Sequence, residues 1–198
     1  MKKQFFSVLA LTLLFGIPGF SRDGFVPGLS GLGAQEAKAA SILNHYAARN
    51  FIAGAVNRTD LEIILRAGVR APSANNRQPW QFTVVQNQDL AKQIVSNIVD
   101  GNVLIIISGP EAQSSGRVIL DCALATESIY LAAQALGYGS RIYTGPMDTI
   151  NRSLKTALGL PADYSAVALV RVGQVQSNTD AVSAASSRKD FNAVVNYK

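Results

Sequence analysis

The side chains best suited to hold a ligand lie in residues 71–80, which we name the amide loop. Two prolines, Pro72 and Pro79, fix their own φ at about −65° and keep the preceding residues extended, so no helix runs through the loop. Between the prolines stand four short polar side chains: Ser73, Asn75, Asn76 and Gln78. These groups can bond to a polar, planar ligand, or they can satisfy the backbone of the loop itself. Composition leaves both interpretations open.

The chain has few residues that could form a metal site, a catalytic triad or a reactive thiol. The chain has one histidine, His45, one cysteine, Cys122, and no clustered carboxylates, so it offers no plausible ligand set for zinc or a two-metal centre. A serine-histidine-aspartate triad would have to use His45, and no Gly-x-Ser-x-Gly turn is present to expose a nucleophile. Cys122 lies in a very apolar segment, which predicts a buried and unreactive thiol.

Composition indicates one globular domain with a substantial core, because 48% of the 198 residues are hydrophobic. The formal charge is +5, but the lysines and arginines are scattered and no basic run carries interleaved aromatic residues. The sequence therefore predicts no nucleic-acid partner, and its mild positive charge suits small anionic ligands such as phosphates.

Residues 1–21 have the pattern of a secretory leader. Two lysines precede the short apolar run of residues 5–15, and Gly16 and Pro18 end that run. We expect a signal peptide or, if it is not cleaved, a membrane anchor, and hence an exported or periplasmic protein. A helix of the core is the alternative, although a core helix is rarely apolar all round with lysines only at its start.

Residues 22–34 are rich in glycine, proline and serine and predict a flexible linker, which leaves 35–198 as the folded domain. Within it, Thr59 and Glu62 form a predicted capping box at a helix start. Hydrophobic patterns predict helices over 35–48, 59–70, 88–98, 117–136 and 148–158, and strands over 81–85, 103–107, 140–143 and 167–172. Mixed strands and helices without a strict βαβ repeat favour an α+β fold over a dinucleotide-binding Rossmann fold.

Two of these elements carry further expectations. The continuous apolar run of residues 103–107 predicts a central strand covered on both faces. The helix over residues 117–136 is apolar around most of its circumference, so it must be buried on several sides. Packing between its own sheet and a partner subunit is one arrangement that would achieve this.

Three motifs in the same order and spacing resemble the nitroreductase family of flavin mononucleotide (FMN) enzymes. The amide loop is similar to the family's A-P-S-x-x-N-x-Q-P-W, and residues 121–139 are similar to its D-x-x-x-A…L-A-A-x-x-L-G-x-G helix. Residues 158–161, with a strand that ends at Gly173, are similar to its L-G-(I/L)-P…G ending. The resemblance covers residues 42–198. It implies an α+β fold with a mostly antiparallel sheet flanked by helices, assembled as an intertwined homodimer with two flavins at the interface.

The resemblance also implies which residues bind the cofactor: His45, Arg49, Pro72, Ser73, Asn76, Thr144, Gly145 and Arg188. Residues 45–51 fall on the family's R-R-S-x-R-x-(F/Y) segment, where Arg49 and Phe51 match and His45 replaces a phosphate-binding arginine. Near the C-terminus, Arg188 matches the arginine of the family's K-x-R. Ser73 and Asn76 match positions that touch the flavin of the neighbouring subunit, and the backbone at Thr144 and Gly145 would face the flavin ring.

The function that the resemblance implies is an FMN-dependent oxidoreductase. It would reduce a small-molecule electron acceptor, nitroaromatic or quinone-like, with NAD(P)H by a ping-pong mechanism, and no side chain need act as an acid or base. The alternative is an exported, degenerate relative that acts as a non-catalytic binding or scaffold dimer, because most of the cationic phosphate site is missing. A third interpretation keeps the flavin but takes its electrons from a redox partner protein.

Overall fold

The computed structural model describes residues 40–111, 116–176 and 188–198. The strands are β1 (Phe51–Ile52), β2 (Gln81–Val85), β3 (Val103–Pro110), β4 (Gly139–Tyr143) and β5 (Tyr164–Val175). The α-helices are α1 (Ala40–Leu43), α2 (Arg58–Val69), α3 (Gln88–Ile94), α4 (Gly116–Ala135) and α5 (Met147–Thr149), with 3₁₀ turns at Ala74–Asn76 and Phe191–Ala193. The predicted leader and linker, residues 1–21 and 22–34, lie outside these ranges, as does the first part of the helix predicted over 35–48.

The five strands form one sheet in which every pairing is antiparallel. β3 lies between β2 and β5, and β4 pairs with the side of β5 opposite β3, because β3 and β4 both pair with residues 169–172 of β5. β1 pairs with Gln174 and Val175 at the end of β5. Within the described residues, β2 therefore forms one edge of the sheet and β4 forms the opposite edge. The predicted α+β fold with a mostly antiparallel sheet is confirmed.

β3 is the central strand, and its side chains enter two separate cores. Ile105 and Ile107 pack on the α2 and α4 side, while Leu104 and Ile106 pack on the α3 and α5 side. Successive side chains of a strand point to opposite faces, so an unbroken apolar run covers both faces at once. All of Val103 to Gly109 is buried, which confirms the prediction for this run.

α4 packs against α2 and against the sheet along its buried stripe, which includes Cys122, Ala125 and Ile129. Among the described helices it is the one whose length and hydropathy would allow it to cross a membrane. That stripe makes it a core helix here, as the sequence predicts. On another face of α4, however, Ile119, Leu120 and Leu124 are exposed.

Several predicted helix boundaries are wrong. The cap of α2 lies two residues before the predicted Thr59, because Asn57 is the cap and its Oδ1 accepts hydrogen bonds from the amides of Thr59 and Asp60 at 2.8 and 3.4 Å. α3 ends at Ile94 and not at residue 98, since Val95 adopts an extended conformation.

The described part of the first helix ends at Leu43, so residues 44–48 are not helical. Where the sequence predicts a helix over residues 148–158, the structure has a short α-helical turn at Met147–Thr149 followed by a π-helical turn at Ile150–Leu154. The cap of the first turn is Pro146 and not Asp148. The π-turn places Asn151 beside the start of β5. There its side chain accepts from the Ala166 amide at 2.7 Å and donates to the Ala166 carbonyl at 3.1 Å.

Candidate functional site

The amide loop is shaped largely by its own side chains. The Ser73 hydroxyl oxygen accepts a hydrogen bond from the Gln78 amide at 3.0 Å, which closes the loop on itself. One bond from outside anchors it, from the Ala74 amide to Oδ1 of Asp121 on α4 at 2.9 Å. Since Asp121 is buried, with an exposed fraction of 3%, this contact fixes the loop to the core.

Three residues of the loop have left-handed backbone conformations: Asn75 (φ 52°), Asn76 (φ 53°) and Gln78 (φ 48°). Asparagine tolerates this region, but a glutamine there is uncommon and costs about 1 kcal/mol or more. The strained conformation lets Gln78 Nε2 donate to Oδ1 of Asn76 at 3.1 Å. Asn76 accepts this bond through one lone pair of Oδ1, and its Nδ2 hydrogens can serve as donors to a ligand.

The interpretation that the loop satisfies its own backbone therefore holds for Ser73, and Gln78 orders the loop through its bonds to Ser73 and Asn76. Binding of a ligand by the loop stays a prediction. At the end of the loop, the half-buried ring of Trp80 packs on the core and stacks on Phe82 with an interplanar angle of 8°.

The segment that carries His45 and Arg49 is irregular because it is held from outside. Gln134 on α4 accepts from the Tyr46 amide at 3.0 Å and donates to the Tyr46 carbonyl at 2.9 Å, the two bonds that a neighbouring strand would supply. Gln134 also donates to the Ser140 hydroxyl at 2.8 Å, and the Ala48 amide donates to the Ser140 carbonyl at 3.0 Å. These bonds replace helical ones, so the helix predicted through residue 48 does not form there.

Gly139 allows this segment to lie close against β4. A Cβ at Gly139 would collide with Cγ1 of Val175 and would lie 3.0 Å from Cβ of Ala48. The second glycine of the G-x-G pair is thus a packing requirement, since any side chain would push residues 48–51 off the sheet.

His45 lies against α4. Its Nδ1 donates to the carbonyl of Ile42, and its ring meets the ring of Tyr130 edge-on with a centroid distance of 5.6 Å. With Nδ1 occupied in this way, a neutral His45 has only an acceptor left at Nε2. It could donate to a phosphate only when protonated.

Tyr130 is a member of this region that the sequence did not reveal. Burial raises the pKa of Tyr130, and a hydrogen bond with Gln134 and the positive charge of Arg188 oppose that rise. The charge of Arg188 is therefore within electrostatic range of Tyr130, whose ring His45 also contacts. Tyr130 and Gln134 are four residues apart and therefore lie on the same face of α4. This spacing is the sequence feature from which Tyr130 could have been predicted.

Arg49, Thr144 and Gly145 are exposed, and none of the three ion pairs within the described ranges includes Arg49. A Cβ at Gly145 would meet no described atom within 4 Å, so the space before this backbone is open. Its amide takes part in no backbone hydrogen bond found among the described residues. An amide with no backbone acceptor among the described residues, at a Cα beside open space, fits the contact expected with a flavin ring.

The predicted site residues fall into two groups. We name His45, Arg49, Thr144, Gly145 and Arg188, with Tyr130, the cradle. Thr144 and Gly145 directly follow β4 at one edge of the sheet, and the segment of His45 and Arg49 is bonded to Ser140 of β4 and to Gln134. Pro72, Ser73 and Asn76 lie in the amide loop, which leads into β2 at the other edge. One chain does not bring the two groups together.

The donors present fit a flavin phosphate and ring better than they fit a metal. Among residues 40–111, 116–176 and 188–198, no cluster of three potential metal ligands occurs. Burial raises the pKa of Cys122 to about 11, and the nearby charge of Asp121 adds to the rise, so the thiol is protonated and unreactive at neutral pH. The prediction of an inert Cys122 is confirmed.

Comparison with known proteins gives matches over most of the described domain. The model of the nitroreductase family matches residues 42–103 and 95–174. A protein of Archaeoglobus fulgidus named for NADH dehydrogenase/NAD(P)H nitroreductase activity is 31% identical over 63% of this chain and 78% of its own length.

Two solved structures share the fold. A nitroreductase with bound FMN from Desulfitobacterium hafniense is 20% identical, has a TM-score of 0.69, and is matched over 84% of this chain and 100% of that chain. A nitroreductase-type protein in complex with FMN from Desulfovibrio desulfuricans is 26% identical, has a TM-score of 0.67, and is matched over 80% of this chain and 94% of that chain.

Proposed function

This chain belongs to the nitroreductase family, and from that premise we propose that it is an FMN-dependent oxidoreductase that works as a homodimer with NAD(P)H as electron donor. The observation that carries the proposal is the division of the predicted site between opposite edges of one sheet. Two copies of the chain can complete a site that a single copy leaves open, with the cradle of one and the amide loop of the other.

When bound, FMN supplies the hydride and electron chemistry, and the protein supplies position and charge. Arg49 stabilises negative charge on the pyrimidine edge of the ring, and the Gly145 amide donates to the ring where it accepts hydride. Arg188 binds the phosphate, with help from His45 when its ring is protonated. From the partner chain, Asn76 contributes an N–H donor that Gln78 orients.

Exposed apolar surface supports the dimer. On α4, Ile119 and Leu120 are 49% and 59% exposed, and in the C-terminal arm Tyr197 is 82% exposed. Burial of apolar surface stabilises an interface by about 25 cal/mol per Å². A second copy that covers these side chains would therefore stabilise the dimer by roughly several kcal/mol, from which the cost of association is subtracted. The long helix would then lie between its own sheet and the partner, as its composition predicts.

A subunit-complementation experiment tests the composite site. One chain carries Arg188→Ala in the cradle, and a differently tagged chain carries Ser73→Ala with Asn76→Gly in the loop, glycine being chosen because it keeps the left-handed backbone. Mixed dimers isolated through both tags contain one site with both defects and one with none. We expect one FMN per mixed dimer to bind with wild-type affinity, as measured by flavin fluorescence titration.

Each mutant homodimer should bind FMN more weakly at both of its sites. If each site were built from a single chain, both sites of the mixed dimer would be defective and no wild-type affinity would be recovered. A monomer by analytical ultracentrifugation would also contradict the proposal.

The finer part of the proposal concerns substrates and location. We propose that NAD(P)H and a nitroaromatic or quinone-like acceptor occupy the same pocket in turn, which is a ping-pong order. Parallel double-reciprocal plots of rate against both substrates would support this order, and intersecting plots would exclude it. Residues 1–21 are proposed to direct export, to be tested by N-terminal sequencing of protein recovered from cell fractions.

A second candidate function is favoured by the reduced phosphate site. His45 stands where an arginine is expected and donates through Nδ1 to its own chain, so Arg188 is the chief cation of the cradle. If the chain were a non-catalytic scaffold dimer, Arg188→Ala would change no ligand property. If it is an FMN enzyme, the loss of a charge-assisted bond should weaken FMN binding by roughly 10- to 100-fold.

A further inference from the structure

A cleft of about 890 Å³ lies beside the amide loop, on the side of the ends of β3 and β5. Its polar and aromatic lining comes from the loop, the start of α4 and the start of β5: Asn75, Arg77, Gln78, Arg117, Asp121 and Tyr164. We name it the arginine cleft. None of the cofactor contacts proposed above uses Arg77, Arg117 or Tyr164.

The cleft is positively charged. Arg77 and Arg117 are exposed, and neither takes part in an ion pair with any residue that the structure describes. The one acid in the lining, Asp121, is buried and already accepts the hydrogen bond of the Ala74 amide. Arg66 and Arg70 lie at the end of α2, immediately before the loop, and add to the positive potential.

This lining selects a particular ligand chemistry. Two guanidinium groups provide paired donors that match phosphate oxygens, and neither Arg77 nor Arg117 forms an ion pair with a carboxylate among the described residues. Tyr164 offers an aromatic ring for a base, and the amides of Asn75 and Gln78 offer hydrogen bonds. A neutral aromatic acceptor would leave both arginines unused, whereas a nucleoside diphosphate would use every group.

The position of the cleft connects it with the proposed reaction. Asn76 is proposed to contact the flavin, and the residues on either side of it, Asn75 and Arg77, line the cleft, so the cleft adjoins the proposed flavin site. We infer that the arginine cleft binds the nucleoside diphosphate half of the pyridine nucleotide donor, whose nicotinamide lies at the flavin. This inference rests on the proposed function.

The inference is tested by measuring KM and kcat of the FMN-loaded dimer for two electron donors. We compare Arg77→Gln and Arg117→Gln with the wild type, using NADH or NADPH (whichever is oxidised faster) and reduced nicotinamide riboside, which lacks both phosphates and the second nucleoside. Each variant should raise the KM for the dinucleotide about tenfold, the effect of losing one charge-assisted bond, with kcat unchanged. The KM for the riboside should stay the same.

Arg58→Gln is the matched control, because Arg58 is an exposed arginine whose pairing with Glu62 lies at the far end of α2. It should change neither constant. Equal rises in KM for both donors would overturn the inference, since the arginines would then act on the nicotinamide pocket or on folding.

A binding measurement separates this inference from the proposed function. ADP should bind the wild-type dimer in calorimetry, with or without FMN, and each arginine variant should weaken that binding about tenfold. If ADP does not bind, or binds the variants equally well, the cleft is not a nucleotide subsite even though the enzyme works. If ADP binds but FMN does not, the subsite stands and the proposed oxidoreductase fails.

Discussion

The amide loop holds its shape mainly with bonds among its own ten residues, whereas the cradle is assembled from stretches that lie far apart in the sequence. In the loop, Gln78 bonds to Ser73 and to Asn76, and Asp121 supplies a side-chain anchor from outside. In the cradle, Gln134 and Gly139 hold residues 44–50 from elsewhere in the chain. The structure of the amide loop can thus be predicted from its sequence motif. The structure of the cradle depends on contacts with the core.

The largest effect that would separate the two halves is expected from Gln134→Leu. This change removes the two hydrogen bonds that Gln134 makes with the Tyr46 backbone and the one that it donates to the Ser140 hydroxyl, which still donates to the Tyr130 carbonyl. It should lower the free energy of unfolding by about 2–4 kcal/mol. FMN affinity should fall as well, because His45 and Arg49 lose their support. Urea unfolding and FMN titration measure the two effects.

Gln134→Glu is the matched control for that change. It keeps the acceptor for the Tyr46 amide and loses the two donated bonds, so its effect should be intermediate. An unstable Gln134→Leu protein with unchanged FMN affinity would show that the cradle does not depend on this support.

Gly139→Ala should destabilise the protein by about 1–3 kcal/mol, because the added methyl overlaps Val175 and crowds Ala48. The cradle segment must then move, so FMN binding should weaken in parallel. Gly116→Ala is the control, since a Cβ there meets no described atom within 4 Å. Thermal unfolding of both variants gives the comparison, and equal melting temperatures would contradict it.

Asp121→Ala removes the side chain that anchors the amide loop to α4. It should lower the free energy of unfolding by about 1–2 kcal/mol, because the Ala74 amide loses its acceptor. Asp121→Asn retains an acceptor oxygen and should recover about half of that loss. In mixed dimers with wild-type chains, the defect in FMN binding should appear at the cradle of the partner. A defect at the mutant chain's own cradle would reverse our assignment of the loop.

The smallest effect is a pH dependence carried by α4, the helix between the two halves. Burial raises the pKa of Cys122 to about 11 from an ordinary value of 9.0, so the folded protein keeps the thiol proton where the unfolded chain loses it. The unfolded state then binds fewer protons, and stability must fall as the pH rises from 9 toward 11.

Cys122→Ala should lessen that fall by about 1–3 kcal/mol, although the variant itself starts from a lower stability because it leaves a small cavity. Urea unfolding of both proteins at pH 8 and pH 10.5 measures the difference. An identical fall in both would assign the pH dependence to other groups, such as the buried phenol of Tyr130.

Prediction from the sequence succeeded where the signal was local or strongly periodic. The buried apolar run correctly predicted the central strand β3, and the apolar pattern of residues 117–136 correctly predicted the helix α4. Pro72 and Pro79 correctly predicted a loop between α2 and β2. It failed at residues 44–48, where good helix formers lie in an irregular segment because Gln134 and Ser140 satisfy their backbone. Asn57 was missed as the cap of α2 because Thr59 and Glu62 form a pattern that fits equally well.

The sequence by itself determined the family, the α+β class and the identity of the loop, because motifs and periodicity need no knowledge of distant contacts. Only the tertiary structure decided which predicted site residues lie together, and it divided them between the β2 edge and the β4 edge of the sheet. It also added Tyr130, Gln134 and the arginine cleft. The physical reason is that burial and hydrogen bonding between residues more than 80 positions apart, such as Tyr46 and Gln134, exist only once the core has closed.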